Sequence, residues 1–161
     1  IIALFIVFYL IIEVTGTLIF YILGGSKEPN FGYPQTFQNI IGYYTFEAFL
    51  SGTCEEPLFR GFVITVLALS WKGKIKLGKT EFTTAGIIAA LLFAFAHISF
   101  SIFPFQIYQL YILQLIFAFG LGLLYAVTFQ KTKSLLIPIL LHNLSNVIAI
   151  SMPYILLLAR A

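Results

Sequence analysis

The chain has 161 residues, 60% hydrophobic and 9% charged, with 18 Phe and 9 Tyr and a mean hydropathy of +1.01. A soluble domain carries roughly a quarter charged residues, so this chain lacks the polar side chains to cover a water-facing surface, and its solvent is lipid. The formal net charge of +3 comes mostly from loop lysines and calls for no nucleic-acid partner.

Cys54 is the only cysteine, which excludes an internal disulfide. The chain opens on Ile1 and its one methionine is Met152, so a fragment without its natural N-terminus is expected. The sequence leaves room for an upstream signal or further helix.

A membrane-spanning helix needs about 20 apolar residues at ~1.5 Å rise each. Five segments meet that length: Ile1 to Leu23, about Phe37 to Ser70, about Phe82 to Phe100, Pro104 to Phe129, and Leu135 to about Leu158. The expected fold is an all-α, polytopic transmembrane bundle of about five helices, forming one membrane-embedded domain over residues 1–161. The second segment would reach ~50 Å as one straight helix. Pro57 lacks an N–H, clashes with the carbonyl four residues earlier and disfavours helical geometry at Glu56. A kink or break near residues 53–57 is therefore expected.

The loop "WKGKIKLGKTE" carries four lysines and "QKTKS" two, against Lys27 and Arg160 on the opposite side. The positive-inside rule places the lysine-rich loops and the N-terminus in the cytoplasm. The cell membrane is the expected location.

Ionisable residues at bilayer depth are costly and mark functional sites by default. Glu56 and Arg60 are spaced i, i+4 with the acid N-terminal, the favourable order for a helical pair. Simple mutual neutralisation accounts for those two. It leaves Glu55 unpaired, on a polar stripe with Ser51 and Glu47. His97 follows a row of small residues, Gly86, Ala90 and Ala94, which lets helices approach closely. His142 shares a polar face with Ser145 and Asn146. A lone membrane histidine is usually a packing residue; two, with an unpaired glutamate, point to chemistry. On helical arithmetic Glu55 and His97 each lie ~22 Å from the same lysine loop, and His142 lies ~10–13 Å from its own. Cys54 reads as a small buried residue. Ala118, Gly122 and Ala126, with Gly120, read as a packing row. Trp71, Tyr33, Tyr43 and Tyr44 read as interface aromatics, and Glu13 is assigned no role.

Three motifs then carry a resemblance. "EEPLFRG" resembles the E-E-x-x-x-R signature of the CAAX protease and bacteriocin-processing (CPBP, or Abi) family of intramembrane glutamate-type proteases, related to type II CAAX prenyl endopeptidases. "FAFAH", Phe93 to His97, resembles that family's F-x-x-x-H motif, and "HNLSN", His142 to Asn146, its H-x-x-x-N/D motif. The three occur in the family's order, over about residues 40–152. The resemblance implies an endopeptidase acting on a membrane-associated peptide or protein, whether a prenylated CAAX protein, a peptide pheromone or a bacteriocin-related substrate. It implies that Glu55 and His97 activate water, and that His142 and Asn146 stabilise the oxyanion. Glu56 and Arg60 would support them, and no metal or other cofactor is called for.

Three alternatives stand beside this reading. Glu55, His97 and His142 could form a His₂-carboxylate zinc site with an open water position. The chain could be a non-catalytic scaffold or immunity protein, although a scaffold has no reason to keep costly buried charges. It could be a proton-coupled transporter, which would normally show inverted repeats and paired broken helices.

Overall fold

The computed structural model describes residues 2–22 and 33–158. Lys27 and Arg160, both used in the charge balance, lie outside the described residues. In chain order the elements are α1 (Ile2–Ile22), α2 (Phe37–Thr45), a π-helical segment Phe46–Leu50, α3 (Ser51–Glu56), a second π-helical segment Pro57–Val63 and α4 (Ile64–Ser70). There follow the hairpin strands β1 (Lys74–Leu77) and β2 (Thr80–Thr83), α5 (Thr84–Phe95), the strands β3 (Ser99–Ser101) and β4 (Gln106–Gln109), α6 (Ile112–Thr132) and α7 (Leu136–Leu158). Residues 1–52 with 140–161 make one compact unit, and residues 53–139 make another.

The protein is mostly helical, but the all-α expectation is corrected by two antiparallel hairpins. In the first, Leu77 pairs with Thr80 across a two-residue turn, and Gly78 there takes the left-handed φ of 59° that glycine adopts at little cost. The second pairs residues 99–101 with 106–109, with a bulge between Ser99 and Phe100. These hairpins shorten two of the expected spans. Phe82 belongs to a strand, and α5 has only 12 residues, ~18 Å against a hydrocarbon core of ~30 Å. The fourth segment becomes helical at Ile112, not Pro104. The "SFS" of β3 alternates with strand period and the "QIYQ" of β4 sets two strand-favouring residues between glutamines, neither of which an averaged hydropathy registers.

Among the described residues two helices are long and apolar enough to cross a membrane, Ile112–Thr132 and Leu136–Ile155, while Phe5–Thr17 and Thr84–Phe95 are apolar but shorter. Large apolar side chains such as Phe37, Phe62, Leu69 and Ile116 are exposed, as a lipid-facing surface requires.

Pro57 does not break the chain's helical course. Glu56 keeps right-handed helical angles, φ −65° and ψ −39°, and Pro57 opens the second π-helical segment. The Ile64 N–H reaches back five residues to the Phe59 carbonyl, as the Ser51 N–H does to Phe46. A wider turn accommodates a ring that can neither donate nor fit the four-residue repeat. The two π-helical segments flank the six residues of α3, which end on Glu55 and Glu56.

Within residues 53–139, α5 packs on α6 through small residues. Ala85, Ala89 and Ala126 form a buried cluster with Ile64, and Phe93, Ala94 and Ala118 another, flanked by Phe59 and Phe119. A Cβ on Gly122 would lie 3.1 Å from the Ala90 Cα and Cβ, so this glycine sets the helix separation. Gly120, expected in the same row, is exposed with nothing within 4 Å. Thr83 caps α5 by accepting from the Gly86 N–H at 3.0 Å and is also bonded to Gln130 of α6.

Within the other unit, Thr36 caps α2 through the Asn39 N–H. Phe5 stacks on Tyr9 in α1. Tyr44 bonds the Ser151 hydroxyl of α7 at 3.0 Å, and Tyr33 lies 3.3 Å from the Tyr154 hydroxyl.

Gly122→Leu should drive α5 and α6 apart and lower stability by ~1–3 kcal/mol, seen as a lower unfolding temperature in detergent. Gly120→Leu should leave that temperature unchanged. Equal effects of the two would refute close α5–α6 packing at Gly122.

Candidate active site

The first motif is built around Arg60. Its side chain and that of Glu56 are fully buried, joined by an Arg60 Nη1 to Glu56 Oε1 bond of 2.9 Å. Nη2 donates to the Gly122 carbonyl at 3.2 Å. The guanidinium lies 4.5 Å from the centre of the Phe93 ring and 5.1 Å from that of Tyr125. Carboxylate, carbonyl and aromatic faces replace part of the water that a buried cation loses, while Arg60 Nε has no hydrogen-bond partner among the described residues. The sequence pairing of Glu56 with Arg60 is therefore what the fold contains.

Glu55, the neighbouring acid, is half-buried. Among the described residues no hydrogen bond or ion pair engages its carboxylate. Consecutive residues on α3 point about 100° apart, which separates one buried, paired acid from one available acid. Cys54, expected to be buried, is exposed, because the same geometry turns it away from the face that carries Glu56.

His97 lies just beyond the end of α5, in the turn that follows it. Its N–H donates to the Ala94 carbonyl, and its Nδ1 lies 2.9 Å from the Phe93 carbonyl. A carbonyl can only accept, so Nδ1 carries the hydrogen and Nε2 presents a lone pair. The imidazole also meets the Phe93 ring edge-on, with centroids 5.0 Å apart. Phe93 thus serves two motifs at once: its ring supports Arg60 and its carbonyl fixes the tautomer of His97. Sequence reasoning used Phe93 only as a motif letter and missed Tyr125 and the Gly122 carbonyl. The signal for Phe93 was its place at the head of F-x-x-x-H.

The third motif lies in the other unit. His142 is buried, and its carbonyl accepts from the Ser145 hydroxyl at 2.8 Å. The Asn146 amide nitrogen donates to Glu47 Oε2 at 2.7 Å and to the Ser51 hydroxyl at 3.0 Å. Glu47 and Ser51, read in the sequence as a polar stripe, are thus the partners of Asn146. Asn143 was missed altogether. Its Oδ1 accepts the Gly52 N–H at 2.7 Å, and a Cβ on Gly52 would stand 2.5 Å from that oxygen and 3.0 Å from the His142 Cβ. Only glycine permits this approach. The structure therefore assembles Glu56, Arg60, Phe93 and His97 within residues 53–139, and Glu47, Ser51, His142 and Asn146 within the other unit. Glu13 in α1 makes no hydrogen bond or ion pair with a described residue.

The family model described as type II CAAX prenyl endopeptidase Rce1-like matches residues 37–148, a stretch that includes all three motifs. No curated protein matches the chain, and no solved structure does.

Removing the charge of Glu56 strands a buried guanidinium. Glu56→Gln is expected to cost about 3 kcal/mol or more, measured as a loss of folded protein on heating in detergent. The double variant Glu56→Leu/Arg60→Met should recover much of that loss. No recovery would mean that Arg60 stabilises the fold by contacts other than this pair.

Proposed function

The chain belongs to the type II CAAX prenyl endopeptidase Rce1-like family, a family of membrane-embedded proteases, and from that premise we propose that it hydrolyses peptide bonds of membrane-associated substrates by a metal-free, glutamate-led mechanism. The observation that carries the proposal is the division of labour between Glu55 and Glu56. Arg60 engages one carboxylate of the pair at 2.9 Å and leaves the other available.

In this reading Glu55 removes a proton from the attacking water as the water oxygen bonds to the scissile carbonyl carbon. His97, with its hydrogen on Nδ1, offers the Nε2 lone pair to orient that water, and the proton taken up by Glu55 passes to the departing amine nitrogen as the C–N bond breaks. The carbonyl oxygen becomes an oxyanion, for which His142 and Asn146 supply N–H donors. Both amide hydrogens of Asn146 are engaged, so donation to the oxyanion requires an exchange. The Ser51 bond, longer and to a neutral acceptor, is the one to yield. Collapse of the tetrahedral intermediate breaks the C–N bond and releases a carboxylate and an amine.

A zinc centre on Glu55, His97 and His142 would consume the available carboxylate as a ligand. The remaining acid of the motif is already paired with Arg60, so no base would be left in it. This favours the metal-free form. Prenylated CAAX proteins, peptide pheromones and bacteriocin-related peptides are the substrate classes proposed. The lysine-rich loops are proposed to face the cytoplasm from the cell membrane.

Purified protein tested on prenylated and unprenylated peptides should lose cleavage in Glu55→Gln with no change in unfolding temperature. Full activity of that variant would remove Glu55 as the base. Asn146→Ala should lower turnover by roughly 10²–10³ with little change in KM. Chelators should have no effect, whereas near-stoichiometric zinc lost together with activity in His142→Ala would establish the metal mechanism instead.

A further inference from the structure

A cavity within residues 53–139 differs from the motifs in character. It has a volume of about 910 Å³ and is lined by Lys72, Lys74, Lys76, Lys79, Lys131 and Lys133. These come from the two lysine loops that the sequence separates by some fifty positions. Trp71, Thr65 and Leu69 also line it. One acid does so, Glu81, already bonded to Lys74 at 3.2 Å. Six lysines and one acidic residue therefore line the cavity.

Two local features show how the sequence directs these charges. The strand "KIKL" alternates with period 2: Lys74 and Lys76 line the cavity, while Ile75 and Leu77 do not and are exposed at 60% and 72%. The hairpin is thus basic on one face and apolar on the other. Lys133 ends α6 with a left-handed φ of 55°, where glycine or asparagine is the usual occupant. A lysine there carries a strain that glycine would not, and its side chain lines the cavity.

From these observations we propose that this cavity is a binding site for the phosphate headgroup of an anionic phospholipid. Repulsion among six lysines is relieved by an anion, and a basic cavity beside apolar helices matches a lipid that supplies phosphate and acyl chains together. The exposed apolar face of the hairpin and Trp71 suit the boundary between headgroups and chains. The site does not depend on the proteolytic reading.

Trp71 is the only tryptophan in the chain, so its fluorescence reports on the cavity directly. The full chain is reconstituted in phosphatidylcholine vesicles containing a minority of brominated phosphatidylglycerol, or of brominated phosphatidylcholine, at low salt. Wild-type protein should be quenched preferentially by the anionic lipid, with an apparent preference on the order of tenfold, since each lysine near an anionic surface contributes roughly fivefold and the effects overlap. Lys76→Gln/Lys79→Gln/Lys131→Gln/Lys133→Gln should abolish the preference. Lys133→Gly, which keeps the left-handed cap, should reduce it without lowering the unfolding temperature. Equal quenching by the two lipids in wild type, or an unchanged preference in the quadruple variant, would overturn the proposal. Loss of the preference on adding inorganic phosphate at matched ionic strength would overturn the lipid source and assign the site to soluble phosphate compounds.

Discussion

The buried ion pair of Glu56 and Arg60 is the constraint on which the architecture of residues 53–139 depends. An unpaired guanidinium in this interior would be untenable, and pairing alone replaces only part of its lost hydration. Further support comes from three different places in the chain: the Gly122 carbonyl on α6, the Phe93 ring on α5 and the Tyr125 ring on α6. For Arg60 to reach them, α5 and α6 must lie close together. That explains why their contact is made of Ala90, Ala94, Ala118, Gly122 and Ala126 and not of leucines. Close packing here follows from an electrostatic requirement.

The same requirement extends to His97. Phe93 is held by the guanidinium above it, and its backbone carbonyl in turn holds the Nδ1 of His97. One residue therefore transmits the position of the ion pair to the imidazole at the end of α5. A helix C-terminus is an economical place for this, since its last carbonyls lack intrahelical donors. The third motif uses a parallel device. Asn143 takes up the Gly52 N–H and Asn146 bridges Glu47 and Ser51, so neighbouring polar residues on α7 together hold the chain at residues 47–52.

Much of this was legible in the sequence because membrane solvent makes polar residues conspicuous. Glu56, Arg60, His97, His142 and Asn146 stood out against an apolar background, and the small-residue rows pointed to a close helix contact. The second hairpin was not legible, because Phe, Ile and Tyr in "SIFPFQIYQ" raise the average hydropathy, which does not tell a short apolar strand from a piece of helix. The form of the response to Pro57 was not legible for a different reason. Proline's steric and hydrogen-bonding demands can be met by a break, a kink or a wider turn, and only the neighbouring packing selects among them. The partners of Asn146 were in view as a polar stripe, but a stripe does not name the residue that faces it.

The adjacent glutamates Glu55 and Glu56 are not redundant, because one is half-buried and the other fully buried. Residues in successive positions project about 100° apart, so a helix packed on one side can bury one acid completely and leave the next half-exposed. The buried acid then takes the arginine, because a cation at i+4 on the same face is within reach only of that acid. Were the order of roles reversed, the guanidinium would have to leave Phe93 and Tyr125, and the support for His97 would go with it. The identity of the available carboxylate is thus settled by aromatic packing on α5 and α6, two helices that contribute no acid of their own.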